Sequence, residues 1–220
     1  MLWNAIKNTI EWTFIATSAG VSIGTAYWTQ RGMSEMAVHC LTSYKAASGS
    51  LPTAWTLDGV TVADGITNNH VNAGSNDHVQ SAILCTGPSI SDDARLDVDT
   101  NGSAGTQFGS TYAVHNAKSP SDQAAFCDGD GSTTGMTLAP GSVVFGCLTA
   151  RETASSDGHL YTSVGSWLLG YGSVGQVNDV EHGALEILDG GSVTVGHDGS
   201  SSPDVAAMAF ISFVPKWSPN

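Results

Sequence analysis

The chain has 220 residues, 41% of them hydrophobic, enough to bury one large β-domain or two small ones. Twenty acidic residues stand against seven basic ones, a net charge of −13, so the Lys and Arg that would neutralise nucleic-acid phosphates or hold an anionic membrane surface are missing. No apolar run approaches the roughly 18 residues of a membrane-spanning helix.

Cys40, Cys85, Cys127 and Cys147 each lie in or beside an apolar run, without C-x-x-C spacing or a pairing with His that would suit zinc. They read as reduced core thiols, with disulfides as the alternative.

Residues 1–33 read as an N-terminal helix or arm followed by a linker. Leu2, Ile6 and Ile10 share i, i+4 spacing with Trp3 beside them, and Trp12 and Phe14 extend the apolar content. These six residues, with Trp217 in the tail 216–220, are the expected interface pieces. Lys7 is followed by Glu11 before any clean apolar core, so the segment does not read as a cleaved signal peptide. Gly20-Val21-Ser22-Ile23-Gly24 matches the G-x-S-x-G of a nucleophile elbow. Too few residues precede it to lay down a parallel sheet, and Thr25 to Trp28 reads as strand or loop, so Ser22 is a weak nucleophile candidate.

From residue 34 the pattern becomes short strands separated by Gly, Ser, Asn and Asp clusters. Strands are expected at 36–44, 53–62, 78–86, 95–99, 111–115, 123–127, 142–150, 159–169, 184–188 and 192–195. The last, within 204–214, has almost no polar residue on either face and should be buried on both sides. The expectation is an all-β antiparallel sandwich or jelly roll over 34–215. Two short echoes are consistent with related halves, about 34–139 and 140–215, but matches this short also arise by chance and one domain is the main expectation: 39–43 against 146–150, and His78, Ile83 and Leu84 against His182, Ile187 and Leu188, at offsets of about 105. A third, 120–125 against 203–207, falls at a different offset.

Candidate chemistry is sparse. Asp97, Asp99 and Asn101 begin a calcium-loop pattern, but Phe108 stands where the bidentate Glu belongs. The seven histidines are scattered without metal-ligand spacing. Glu181 and Glu186 are the closest approach to a glycosidase pair, and Trp55 and Trp167 to a sugar-stacking platform. No cofactor is expected.

The Gly/Ser/Thr/Ala-rich short strands, Met1, the strand entry Pro140-Gly141-Ser142-Val143-Val144-Phe145-Gly146 and the apolar closing strand before Pro215 resemble a virion structural protein of a tailed bacteriophage, of the β-sandwich decoration or tail-accessory type. The resemblance implies a non-enzymatic role at a capsid or tail surface, assembly into symmetric homo-oligomers such as trimers, contact with other virion proteins such as the major capsid protein, and no nucleic acid or membrane partner. It assigns no residue a role. The alternatives are a carbohydrate-binding sandwich and a hydrolase using Ser22.

Overall fold

A computed structural model describes residues 10–21, 25–27, 36–46, 54–57, 60–61, 77–86, 95–99, 106–118, 123–128, 133–151, 158–173, 178–198 and 205–216. These carry sixteen strands: β1 (Glu11–Val21), β2 (Thr25–Tyr27), β3 (Met36–Ala46), β4 (Ala54–Leu57), β5 (Val60–Thr61), β6 (Asp77–Thr86), β7 (Arg95–Asp99) and β8 (Thr106–His115), then β9 (Gln123–Asp128), β10 (Thr133–Leu138), β11 (Ser142–Arg151), β12 (Leu160–Thr162), β13 (Leu168–Ser173), β14 (Asn178–Ile187), β15 (Gly191–His197) and β16 (Val205–Phe213). The chain is all-β, and every strand pairing among the described residues is antiparallel.

The strand orders repeat. One sheet runs β1-β8-β3-β6 and another β2-β7-β4-β5. In the first eight strands β1 pairs with β8, β2 with β7, β3 with β6 and β4 with β5, the nested pairing of a jelly roll. Moving every number up by eight gives β9-β16-β11-β14 and β10-β15-β12, which are the remaining two sheets, except that β13 leaves β12 and adds to the edge of β14. Register repeats as well. A shift of 107 residues on β3 and 99 on β8 turns Val38↔Tyr112 into Phe145↔Ile211 and Met36↔Val114 into Val143↔Phe213. The same 99 on β6 turns Val38↔Cys85 into Phe145↔Ala184. Cys40 and Cys147 therefore occupy one position in two ladders. The first sequence echo falls on these equivalent strands in this register. The second falls on equivalent strands too, but the ladders match Ile83 with His182, five residues from the echo. The third sets β9 against β16, which are not equivalent.

The five-stranded sheet β13-β14-β11-β16-β9 is the middle of the packing. Val143, Phe145 and Cys147 of β11 with Ala209, Ile211 and Phe213 of β16 point to β1-β8-β3-β6 and meet Val38, Cys40, Ile83, Cys85, Tyr112 and Val114. The alternate residues, Val144 and Leu148 with Met208 and Phe210, point to β10-β15-β12 and meet Met136, Leu138, Leu160, Val193 and Val195. Side chains alternate across a strand, so a strand covered on both faces needs apolar residues in both registers. The closing strand meets that requirement, and residues 206–213 are buried throughout. Gly146 sits where β11 crosses beneath two rings: a Cβ there would come within 2.8 Å of Trp167 and 2.9 Å of Phe210.

Several elements depart from expectation; the expected strand 53–62, for one, is two, β4 and β5. Glu11–Val21, expected within a helix or arm, is a strand paired along β8, because Thr13 and the alternating aromatics Trp12 and Phe14 suit a half-buried pleated surface better than a helix. The i, i+4 pattern depended on Leu2 and Ile6, which lie outside the described residues with Trp3. β10 went unanticipated because only Met136 and Leu138 of its six residues point inward and the others are Thr and Gly. The expected strand 159–169 is two, β12 and β13, separated by a turn at residues 163–165.

Candidate functional site

Among the described residues, the polar groups drawn most closely together lie in two places: between the two inner sheets, and at the His159 end of β14. Between the sheets, His182 of β14 is fully buried. Thr42 Oγ1 of β3 lies 3.0 Å from its Nε2 and Ser110 Oγ of β8 2.9 Å from its Nδ1. A neutral imidazole has one donor and one acceptor nitrogen, so one hydroxyl accepts from the ring and the other donates to it. Ser81 of β6 makes the corresponding bridge from the first half. It donates to the Ala207 carbonyl of β16 at 2.7 Å and lies 3.4 Å from Thr149 Oγ1 of β11. Thr42 and Thr149 are equivalent under the 107-residue shift, so each half sends a polar side chain from its β6-type strand to the same threonine of the other. Beyond the strands, Lys118 N donates to the Val214 carbonyl and Lys216 N to the Asn116 carbonyl, tying the two chain segments that follow β8 and β16.

Ser110 and His182 have the spacing of a nucleophile and base, yet the environment opposes that use. Burial holds the His182 pKa at about 3, and the nitrogen remote from Ser110 meets a threonine hydroxyl instead of an orienting carboxylate. A base that remains unprotonated down to such a pH has little drive to take a hydroxyl proton at neutral pH. His39, on the other face of β3, is 2.9 Å from Thr111 Oγ1, and burial lowers it to about 4. Cys40, Cys85 and Cys147 are free and buried. Burial, and secondarily the neighbouring Cys147 thiol, push Cys40 well above its usual range, and burial takes Cys85 up to about 12. Cys40 and Cys85 are therefore protonated, unreactive thiols. Cys147 points its S–H at the Ala82 carbonyl, 3.5 Å away.

At the other place Glu181, buried, accepts from Leu160 N at 2.7 Å and meets His159 Nδ1 at 2.7 Å. Asp179 accepts from Gly158 N and Asp198 from His159 N, both at 2.9 Å. Hydrogen bonding to Glu181 raises the His159 pKa against a smaller opposing effect of burial. The arrangement ties the start of β12 to β14. Glu186 belongs to the opposite face of β14, where it accepts from Trp12 Nε1 at 3.0 Å. Two carboxylates on opposite faces of one strand cannot flank a glycosidic bond, so Glu181 and Glu186 do not form a glycosidase pair.

Of the other residues singled out from sequence, Asp97 and Asp99 lie on β7, where Asp97 is opposite Thr25 and Thr56 and Asp99 opposite Ala54. Asn101, Ser22 and Trp217 lie outside the described residues. Among the described residues no group of three or more His, Cys, Asp or Glu side chains could hold a metal ion. Ile10 joins the inner core, Trp12 packs on it, and Phe14 stands at its rim. Trp167 packs against Phe210 at 6.0 Å between ring centroids, inside the second interlayer. Sequence reasoning missed Thr42, Ser110 and His182 as a group because 140 residues separate its ends and only the ladder register aligns them.

Comparison with protein-family models, with curated proteins and with solved structures finds no match. No helix among the described residues is long and apolar enough to cross a membrane.

Proposed function

We propose that this chain is a non-enzymatic structural protein of a virion shell, at a capsid or tail surface, that works by assembling with copies of itself and with other virion proteins. The observation that carries the reading is the repeated jelly-roll strand order. Jelly rolls serve viral capsids, lectins and cupins alike, so fold analogy alone does not choose among them. The interior speaks against an enzymatic use. Between the inner sheets His182 is bonded to Thr42 and Ser110 and Ser81 to the Ala207 carbonyl, and burial holds the Cys40 thiol and the His182 imidazole away from reactive states. Two jelly rolls per chain also suit a trimer, because three such chains present six similar units that tile a surface hexagonally.

The test is the mass of the purified protein by light scattering at moderate salt, with and without residues 1–9, followed by negative-stain electron microscopy of the assembled fraction. Truncation at residue 15 would cut into β1, so it should stop at 9. A defined oligomer that forms arrays or shells supports the proposal. A monomer at every concentration overturns it, and retention of that monomer on a glycan array would support the carbohydrate-binding reading instead.

A further inference from the structure

We propose that the side of the molecule built from β13 and the neighbouring part of β1 is where one copy of the chain pairs with a second copy, strand edge to strand edge. This rests on the self-assembly reading above and names the surface it uses. β13 ends the five-stranded sheet and is bonded on one side only among the described residues. An edge presents a row of unpaired backbone donors and acceptors, and proteins that stay monomeric blunt such edges with charge, proline or a bulge. Residues 164–173, Val-Gly-Ser-Trp-Leu-Leu-Gly-Tyr-Gly-Ser, contain no charged residue and no proline. Of those devices β13 carries a bulge alone, the register irregularity between Leu169 and Tyr171 against β14.

Exposure singles out the same side. Leu168 is 50% exposed, Leu169 49% and Leu188 72%, with Val164 and Phe14 also exposed; these are the large exposed apolar residues among those described. Leu168 and Leu169 are on β13, Val164 is in the turn before it, and Leu188 follows the last residue of its partner β14. Phe14 of β1 lies over Gly170, where an added Cβ would come within 2.7 Å of its ring, and Trp12 is bonded to Glu186, two residues before Leu188.

A second copy is the occupant that fits. With a net charge of −13, two copies repel wherever their carboxylates meet, and an uncharged run is where they can approach. An edge without charged residues, with no strand on its outer side among the described residues and glycine at 170 and 172, can pair with its own copy about a two-fold axis, as isologous contacts require.

Leu168→Lys/Leu169→Lys should abolish or reduce the oligomer seen by light scattering and analytical ultracentrifugation. It should weaken the self-association constant about 30-fold or more, as expected for loss of a buried anchor. Ser192→Lys, which adds charge to an exposed site on β15, should leave assembly unchanged. In the wild type, the amides of 168–173 should exchange more slowly at high concentration than after dilution. That readout decides the matter if the double variant fails to fold by circular dichroism. A folded double variant that assembles normally, an equal loss in Ser192→Lys, or concentration-independent exchange at 168–173 would each overturn this surface while leaving self-assembly standing. A wild type that is monomeric throughout would overturn both.

Discussion

The two halves of the chain share a ladder and differ in what they place on it. At one position the first half has Ile83 and the second His182; at another the first has Ser110 and the second Ala209. Across the interface Ser110 meets His182, whereas Ile83 and Ala209 both belong to the apolar cluster. One side of the approximate two-fold is polar in both partners and its counterpart apolar in both. A buried polar atom costs little when paired and about 1–3 kcal/mol when orphaned, so such positions change together or not at all. Volume behaves similarly. Val38 corresponds to Phe145 and Tyr112 to Ile211, so each ladder pair sets a large side chain beside a smaller one.

The largest test of this comparison is truncation at the shared position. Phe145→Ala should lower stability by about 3–5 kcal/mol and Val38→Ala by about 2 kcal/mol in urea denaturation. Equal losses would show that the halves do not divide the core volume as described. Phe145 carries the larger loss because its ring touches those of Tyr112 and Phe213, at 5.1 and 5.7 Å between centroids.

Acid comes next. His182 and His39 have folded pKa values depressed to about 3 and 4 from 6.5, so the unfolded chain takes up protons first as pH falls. Their contribution is intact above pH 6.5 and is lost as pH drops from there toward 4, at about 1.4 kcal/mol per unit for each site. Melting temperature measured from pH 7 to 4.5 should fall less steeply in His182→Gln than in the wild type. Parallel curves would mean that the imidazole is not held neutral.

A smaller effect isolates the pairing itself. Ser110→Ala removes a hydroxyl bonded to the buried His182 ring and should cost about 1–3 kcal/mol. Adding His182→Ile copies the Ile83 and Ala209 arrangement, and the double variant should lose less than the sum of the two single changes. Strict additivity would show no coupling. Smallest is the His159–Glu181 pair, whose histidine side chain is 49% exposed. Its folded pKa is raised, so its contribution is full below pH 6.5 and fades as pH rises through the folded value. His159→Ala should cost only about 0.2–1 kcal/mol at pH 6, less at pH 8, by thermal melting at both.

Local information made the fold class legible. Alternation and turn chemistry marked β3, β6, β7, β11 and β16 close to their observed bounds, since each has strand-forming residues between glycine-rich breaks. β1 was misread because two leucine-like spacings outside the described residues imposed a helical period on a segment whose own alternation is two. The candidate site was far less legible. Nothing near His182 in the chain distinguishes it from the other histidines, and Glu181 and Glu186 invited a pairing that the pleat forbids by placing them on opposite faces.

The free state of Cys40, Cys85 and Cys147 came from the structure, while residue types alone made the chain antiparallel β and acidic and gave its closing strand apolar residues in both registers. Those properties follow from residue type and a two-residue period, which act over a few neighbours. Only the tertiary structure decided that the strand order repeats after eight, that Cys40 and Cys147 share a ladder position, and that two threonines anchor the polar bridges. Register is set by pairing between strands tens of residues apart, and a faint echo in sequence cannot specify it when one residue of slip inverts every face.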